Sequence, residues 1–209
     1  RHLSHLLRKQ NRQGLLACLD FTKAYDTVDR NFLLAAMETM GVGPQLCAWV
    51  RLLLTDTWAR AMVNGYKSKL VQMEAGVRQG CPLAPLLYLF VAQALLCWLR
   101  NEKVGIKVQP SDELPITACQ YADDTEVVLE NAASVPPFIH AMDIFAQASG
   151  QKLNLDKVEL LWIGASESHT QPQDQPRPTP CTTGPMTLVA PGMTAIGGIK
   201  VVPTATALN

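Results

Sequence analysis

Charge is scarce in this chain. Asp, Glu, Lys and Arg make up 17% of its 209 residues, and 18 basic side chains balance 18 acidic ones. A dedicated nucleic-acid binder carries a basic excess, so charge alone gives no ground for inferring one. The basic residues gathered near the start (Arg1, Arg8, Lys9, Arg12, Lys23, Arg30) face Asp20, Asp26 and Asp29 and read as a solvated helix face. The six cysteines (18, 47, 81, 97, 119 and 181) include no C-x-x-C pair and no histidine cluster beside them. That excludes a zinc site and a disulfide frame. Cys18 and Cys97 sit in apolar stretches, as small core hydrophobes of a reducing compartment do. His2-x-x-His5 has helical spacing but no third ligand nearby. Arg1–Gly14 lacks the apolar segment of a signal peptide, and no internal repeat is visible. One segment mimics a membrane span, the nineteen uncharged and largely apolar residues Cys81–Leu99. Pro82 and Pro85 crowd its start and Gln93 lies within it, so a core helix buried on all sides is expected and a membrane span is not.

Apolar residues make up 48% of the chain, enough for the core of one ordinary domain. An amphipathic helix is expected over Arg1–Gln13, then a buried strand over Leu15–Asp20. Asp29 or Asn31 can cap a helix through Phe32, Leu33, Ala36 and Met37 that closes at Gly41. A second helix starts at Pro44 and carries Leu46, Trp49, Val50, Leu53 and Leu54. Asn64-Gly65 between Arg60–Val63 and Lys69–Glu74 signals a hairpin. Pro136-Pro137 opens a helix that places Phe138, Met142, Phe145 and Ala146 inward and ends at Gly150. Leu160–Ile163 is a last strand. Residues 165–209 change character: Ala165–Pro185 is rich in Thr, Pro, Ser and Gln, as in a linker or disordered tail. The fold class expected is α+β.

Tyr121-Ala122-Asp123-Asp124 stands between the apolar runs Leu114–Gln120 and Thr125–Leu129, at the tip of an expected hairpin. Taken alone, two Asp in a turn are more often a solvated loop, because Asp favours turns. Adjacent carboxylates repel, however, and their hard oxygens suit Mg²⁺ or Mn²⁺. Asp20, at the end of the first strand, supplies a third carboxylate. If the strands are neighbours, the three form a site for two divalent ions about 3.5–4 Å apart, the clamp of in-line phosphoryl displacement.

Four segments together resemble a known family. They are Leu19-Asp20-Phe21-Thr22-Lys23-Ala24-Tyr25-Asp26, Gly76-Val77-Arg78-Gln79-Gly80-Cys81-Pro82-Leu83-Ala84-Pro85, Tyr121-Ala122-Asp123-Asp124, and Ser149-Gly150-Gln151-Lys152-Leu153-Asn154-Leu155-Asp156-Lys157. In order and spacing they resemble the palm motifs of reverse transcriptases, most closely those of non-LTR (LINE-type) retrotransposons. The likeness covers residues 1–164. It implies an RNA-directed DNA polymerase palm, an antiparallel sheet carrying the carboxylates and packed on helices, with partial fingers and no complete thumb.

The resemblance also implies roles. Asp20 and Asp123 would bind two Mg²⁺ or Mn²⁺ ions, Asp124 would support them, and the Phe21 carbonyl would complete one metal shell. Tyr25 would lie under the incoming sugar and exclude a 2′-hydroxyl by clash. Gln79 and Gly80 would contact the nucleotide and template, and Lys157 would face the triphosphate. Tyr121 and Arg78 would lie along primer and template. The implied partners are an RNA template, a DNA primer, dNTP and the rest of a polyprotein, with no membrane, in nucleus and cytoplasm. Only nineteen residues precede Asp20, and no primer-grip hairpin is evident beyond a faint echo at Gly198-Ile199-Lys200-Val201. The fragment alone is therefore expected to be inactive. An inactive remnant of such an element is the alternative. A nuclease or cyclase with a similar palm is disfavoured, because neither gives Tyr25 or Gln79 a task.

Overall fold

The computed structural model describes residues 2–165 and the strand at 200–202. Helix α1 (His2–Lys9) leads into strand β1 (Gln13–Leu19). A short turn of helix, α2 (Ala24–Thr27), is followed by α3 (Arg30–Thr39) and α4 (Pro44–Leu54). Four two-residue strands come next: β2 (Trp58–Ala59), β3 (Met62–Val63), β4 (Tyr66–Lys67) and β5 (Val71–Gln72). The long helix α5 (Ala84–Asn101) precedes the hairpin β6 (Ala118–Tyr121) and β7 (Asp124–Leu129). Then come α6 (Val135–Ser149), β8 (Glu159–Gly164) and β9 (Lys200–Val202). The α+β expectation is met.

The sheet order is β6-β7-β1-β8-β9, antiparallel except for the parallel β8–β9 pair. Its central strand is β1, the apolar run Leu15–Leu19. Alternation divides that strand between two cores. Leu15, Ala17 and Leu19 join Val127, Leu129 and Leu160 in the main core under α3, α5 and α6. On the other face Leu16 packs with Val128, Ile163 and Ile106 beneath Leu7 of α1. Burying both faces of β1 fixes its register, because a slip of one residue would exchange the two sets.

Helix boundaries follow the capping chemistry. The Asp29 carboxylate accepts from the Phe32 amide at 2.7 Å, so Asp29, not Asn31, starts α3. Gly150 closes α6 with φ of 78°.

Three expectations need correction. The helix read from Cys81–Leu99 is not buried on all sides. Leu87, Tyr88, Val91, Leu95 and Leu99 of α5 face the core, whereas Leu86 and Leu89 are more than half exposed. Hydropathy reports composition and cannot tell a buried outer face from an apolar one left open. Among the described residues α5 is the one helix long and apolar enough to cross a membrane. The thiols are also divided: Cys47 is buried, but Cys97 and Cys119 are exposed. The Asn64-Gly65 turn does form, yet its second arm is Tyr66–Lys67, and Val71–Gln72 pairs instead with Trp58–Ala59. Most of the 165–209 reading lies outside the described residues. Lys200 and Val201 of the faint hairpin echo belong to β9, a strand beside β8.

Candidate active site

Asp20 leaves the sheet just beyond the last β1 pair, Leu19 opposite Thr125. On the neighbouring strand the chain reverses at Ala122-Asp123, between the paired residues Tyr121 and Asp124. A two-residue reversal needs positive φ, and Ala122 adopts 54°. Backbone pairing therefore delivers Asp20, Asp123 and Asp124 to the same end of the sheet. Asp123 and Asp124 are exposed and Asp20 half-buried.

The side chains form pairs, not a closed trio. Asp20 Oδ2 lies 3.5 Å from the Lys157 ammonium. Among the described residues no three His, Cys, Asp or Glu side chains converge closely enough to hold an ion. The donor chemistry nonetheless fits Mg²⁺ or Mn²⁺: hard carboxylate oxygens with a basic group beside them. Asp20, Asp123, Asp124 and the Phe21 carbonyl are the groups that would hold such ions.

Segment 152–154 runs antiparallel beside Asp20–Thr22. The Asn154 amide donates to the Asp20 carbonyl at 2.8 Å, and the Thr22 amide to that of Lys152 at 2.9 Å. This pairing carries Lys157 to Asp20. Tyr25 emerges on α2, and three contacts dock the Gly76–Gly80 loop on it. The Val77 amide donates to the Tyr25 carbonyl and the Gly76 amide to that of Val28, each at 2.8 Å. Gln79 Nε2 donates to Asp26 Oδ1 at 3.1 Å. The Tyr25 phenol is pushed above its ordinary value, first by burial and then by the Asp123 charge. Tyr121 is 84% exposed, which removes the alternative of a core aromatic. Arg78, Gln79 and Gly80 are exposed as well.

Three residues without an assigned role in the sequence reading hold this site. The Arg30 guanidinium donates to the carbonyls of Leu54, Met73, Ala75 and Gly76 and to Thr57 Oγ1, at 2.7–3.1 Å. It thereby ties the base of α3 to the end of α4 and to the approach of the Gly76–Gly80 loop. Burial, with Arg78 nearby, keeps this guanidinium below its ordinary pKa. Arg30→Met is expected to lower the unfolding free energy by about 2 kcal/mol, since several carbonyls lose their donor. Urea denaturation of the chain reads this, and an unchanged midpoint would refute it. Tyr88 and Gln151 are the other two. Gln151 lies in the fourth motif segment, but its partners, like those of Tyr88, are distant in sequence, so no local pattern revealed the contacts.

The profile of the family described as reverse transcriptase (RNA-dependent DNA polymerase) matches residues 1–180. The chain belongs to the reverse transcriptase family. Among its relatives, the Transposon TX1 uncharacterized 149 kDa protein of Xenopus laevis is 27% identical over 79% of this chain and 12% of its own length. A Retrovirus-related Pol polyprotein from the type-1 retrotransposable element R2 of Popillia japonica is 25% identical over 84% of the chain and 28% of its own length. The RNA-directed DNA polymerase from mobile element jockey of Drosophila melanogaster is 29% identical over 68% of the chain and 15% of its own length. The resemblance to non-LTR retrotransposon proteins is borne out. This reverse transcriptase chain spans only 12% to 28% of these relatives' lengths.

Solved telomerases share the fold. Apo telomerase from Candida tropicalis superposes with a TM-score of 0.56 at 13% identity, over 80% of this chain and 34% of that one. Candida albicans telomerase in complex with a fragment of telomeric RNA gives 0.52 at 13% identity, over 82% of this chain and 30% of that one. The helix-backed antiparallel sheet is a polymerase palm.

Proposed function

We propose that this chain is the catalytic core of an RNA-directed DNA polymerase within a longer retrotransposon polyprotein. It transfers dNMP from a dNTP to the 3′-hydroxyl of a DNA primer, with RNA as template, breaking the α–β phosphoanhydride bond and releasing pyrophosphate. The observation that carries this reading is that a palm fold delivers Asp20 and the Asp123-Asp124 turn to one end of its sheet, with the Gln79 loop docked on the helix that carries Tyr25.

Two divalent ions, when bound, neutralise charge on the transferring phosphate and favour ionisation of the attacking hydroxyl. Asp20 and Asp123, with the Phe21 carbonyl, are the groups to hold them, and Asp124 supports that pair. The protein forms no covalent bond to the substrate, so positioning and charge dominate. Tyr25 underlies the sugar and excludes a 2′-hydroxyl. Gln79 and Gly80 meet the nucleotide and template, while Arg78 and Tyr121 lie along the strands. Lys157, whose ammonium lies 3.5 Å from Asp20 Oδ2, is the cation for the triphosphate.

The direct test is extension of a DNA primer on an RNA template by the polyprotein, with dNTP and Mg²⁺ or Mn²⁺. Template-dependent product is expected from the polyprotein and none from the 209-residue chain, which spans so little of its relatives. No product from the polyprotein, with no Mn²⁺ bound by the chain, would instead establish an inactive remnant.

A further inference from the structure

Tyr25 does not stand alone on its turn of helix. Its ring stacks on that of Tyr88 with centroids 4.7 Å apart and planes 20° from parallel. Tyr88 belongs to α5 and is 4% exposed, so it forms a buried floor under a half-buried ring. The Tyr88 hydroxyl donates to Gln151 Oε1 at 3.1 Å. Gln151, 1% exposed, turns its amide the other way, and Nε2 donates to the Ala24 carbonyl at 2.8 Å and to Thr27 Oγ1 at 3.2 Å. One buried amide thus grips both the floor and the helix that carries Tyr25.

The same segment is fastened again alongside. The Asp29 amide donates to the Ser149 carbonyl at 2.8 Å, and the Ser149 hydroxyl accepts from the Gln151 amide at 3.2 Å. Ser149-Gly150-Gln151 is therefore the latch that fixes the Tyr25 segment against α6 and α5.

We infer that Tyr88 and Gln151 are positioning residues for sugar selection, setting the height and stiffness of the Tyr25 ring. The inference rests on the assignment of Tyr25 as the residue beneath the incoming sugar. Discrimination by clash works only if the clashing group cannot retreat. A ring backed by a second ring, itself held through its hydroxyl by a buried amide, has no soft direction away from the nucleotide. Removing the hydroxyl frees the floor without emptying it. The ring can then yield to a 2′-hydroxyl, while a deoxy sugar, which never pressed on it, is little affected. The expected signature is a selective gain for ribonucleotides rather than a general loss of rate.

The test compares kcat/KM for a dNTP and the matching rNTP in RNA-templated extension by the polyprotein. Tyr25→Val is the control and should collapse the preference. Tyr88→Phe and Gln151→Met should each lower the dNTP-to-rNTP ratio about threefold to tenfold, the worth of one buried hydrogen bond. Gln151→Glu keeps an acceptor for the Tyr88 hydroxyl but loses the donor to Ala24, and should fall between wild type and Gln151→Met. Tyr88→Phe deletes a single oxygen, so it remains informative if the Gln151 variants do not fold. A ratio unchanged in Tyr88→Phe and in every folded Gln151 variant, with Tyr25→Val collapsed, overturns this inference alone. A ratio unchanged in Tyr25→Val overturns the assignment of Tyr25 and the inference with it.

Discussion

Asp123→Asn is expected to abolish RNA-templated primer extension by the polyprotein, by at least about 10³-fold, because one charged metal ligand becomes a neutral weak one. The substitution keeps side-chain size and sits on an exposed turn, so the chain's stability should change by less than about 0.5 kcal/mol. Two further readouts separate a lost site from a lost fold. Mn²⁺ binding by the isolated chain should weaken with it. The tyrosine titration should also move. Both Tyr25 and Tyr88 are raised mainly by burial and further by the Asp123 charge. A negative neighbour disfavours phenolate, so its removal lowers the Tyr25 titration towards its ordinary value, the burial contribution remaining. Ultraviolet absorbance during alkaline titration reports this. Extension that survives Asp123→Asn would end the proposed role of that carboxylate.

Gly150→Ala carries the largest expected loss of stability, roughly 3–5 kcal/mol. Two costs add at this position. A residue with φ of 78° occupies the left-handed region, and a Cβ built there would sit 2.1 Å from the Thr27 carbonyl oxygen. That oxygen belongs to the backbone beside the Tyr25 segment, so it cannot simply swing aside. Gly41 provides the comparison, since its φ is 83° but nothing lies within 4 Å of an added Cβ. Gly41→Ala should therefore cost only about 1 kcal/mol, the backbone part alone. Urea unfolding of the two variants isolates the clash. Equal losses would show that the α6 end and the Tyr25 segment are not in close contact.

The chemistry of the site was legible because it lies in contiguous residues. Asp20 at a strand end, Tyr25 five residues on and the Asp123-Asp124 turn each follow from local rules, as do the Asp29 cap and the Gly150 stop. The supports were hidden. Gln151 reaches Ala24 across 127 residues, Tyr88 reaches Gln151 across 63, and Arg30 reaches the Gly76 carbonyl across 46. A buried glutamine in the sequence looks like any polar residue after a helix. Only folding supplies the carbonyl and hydroxyl that explain it. Leu86 and Leu89 mislead for a related reason, because their hydropathy is that of core and their exposure was set by what α5 packs against.

Sequence by itself determined the family and offered Asp20, Asp123 and Asp124 as the candidate carboxylates, since both depend on residue type at short spacing. Tertiary structure alone decided which groups meet: Lys157 on Asp20, Gln79 on Asp26, and Tyr25 on a floor of Tyr88 latched by Gln151. The physical reason is range. Propensity, capping and alternation act over a few residues, whereas burial and hydrogen bonding act between any two surfaces that the fold presses together.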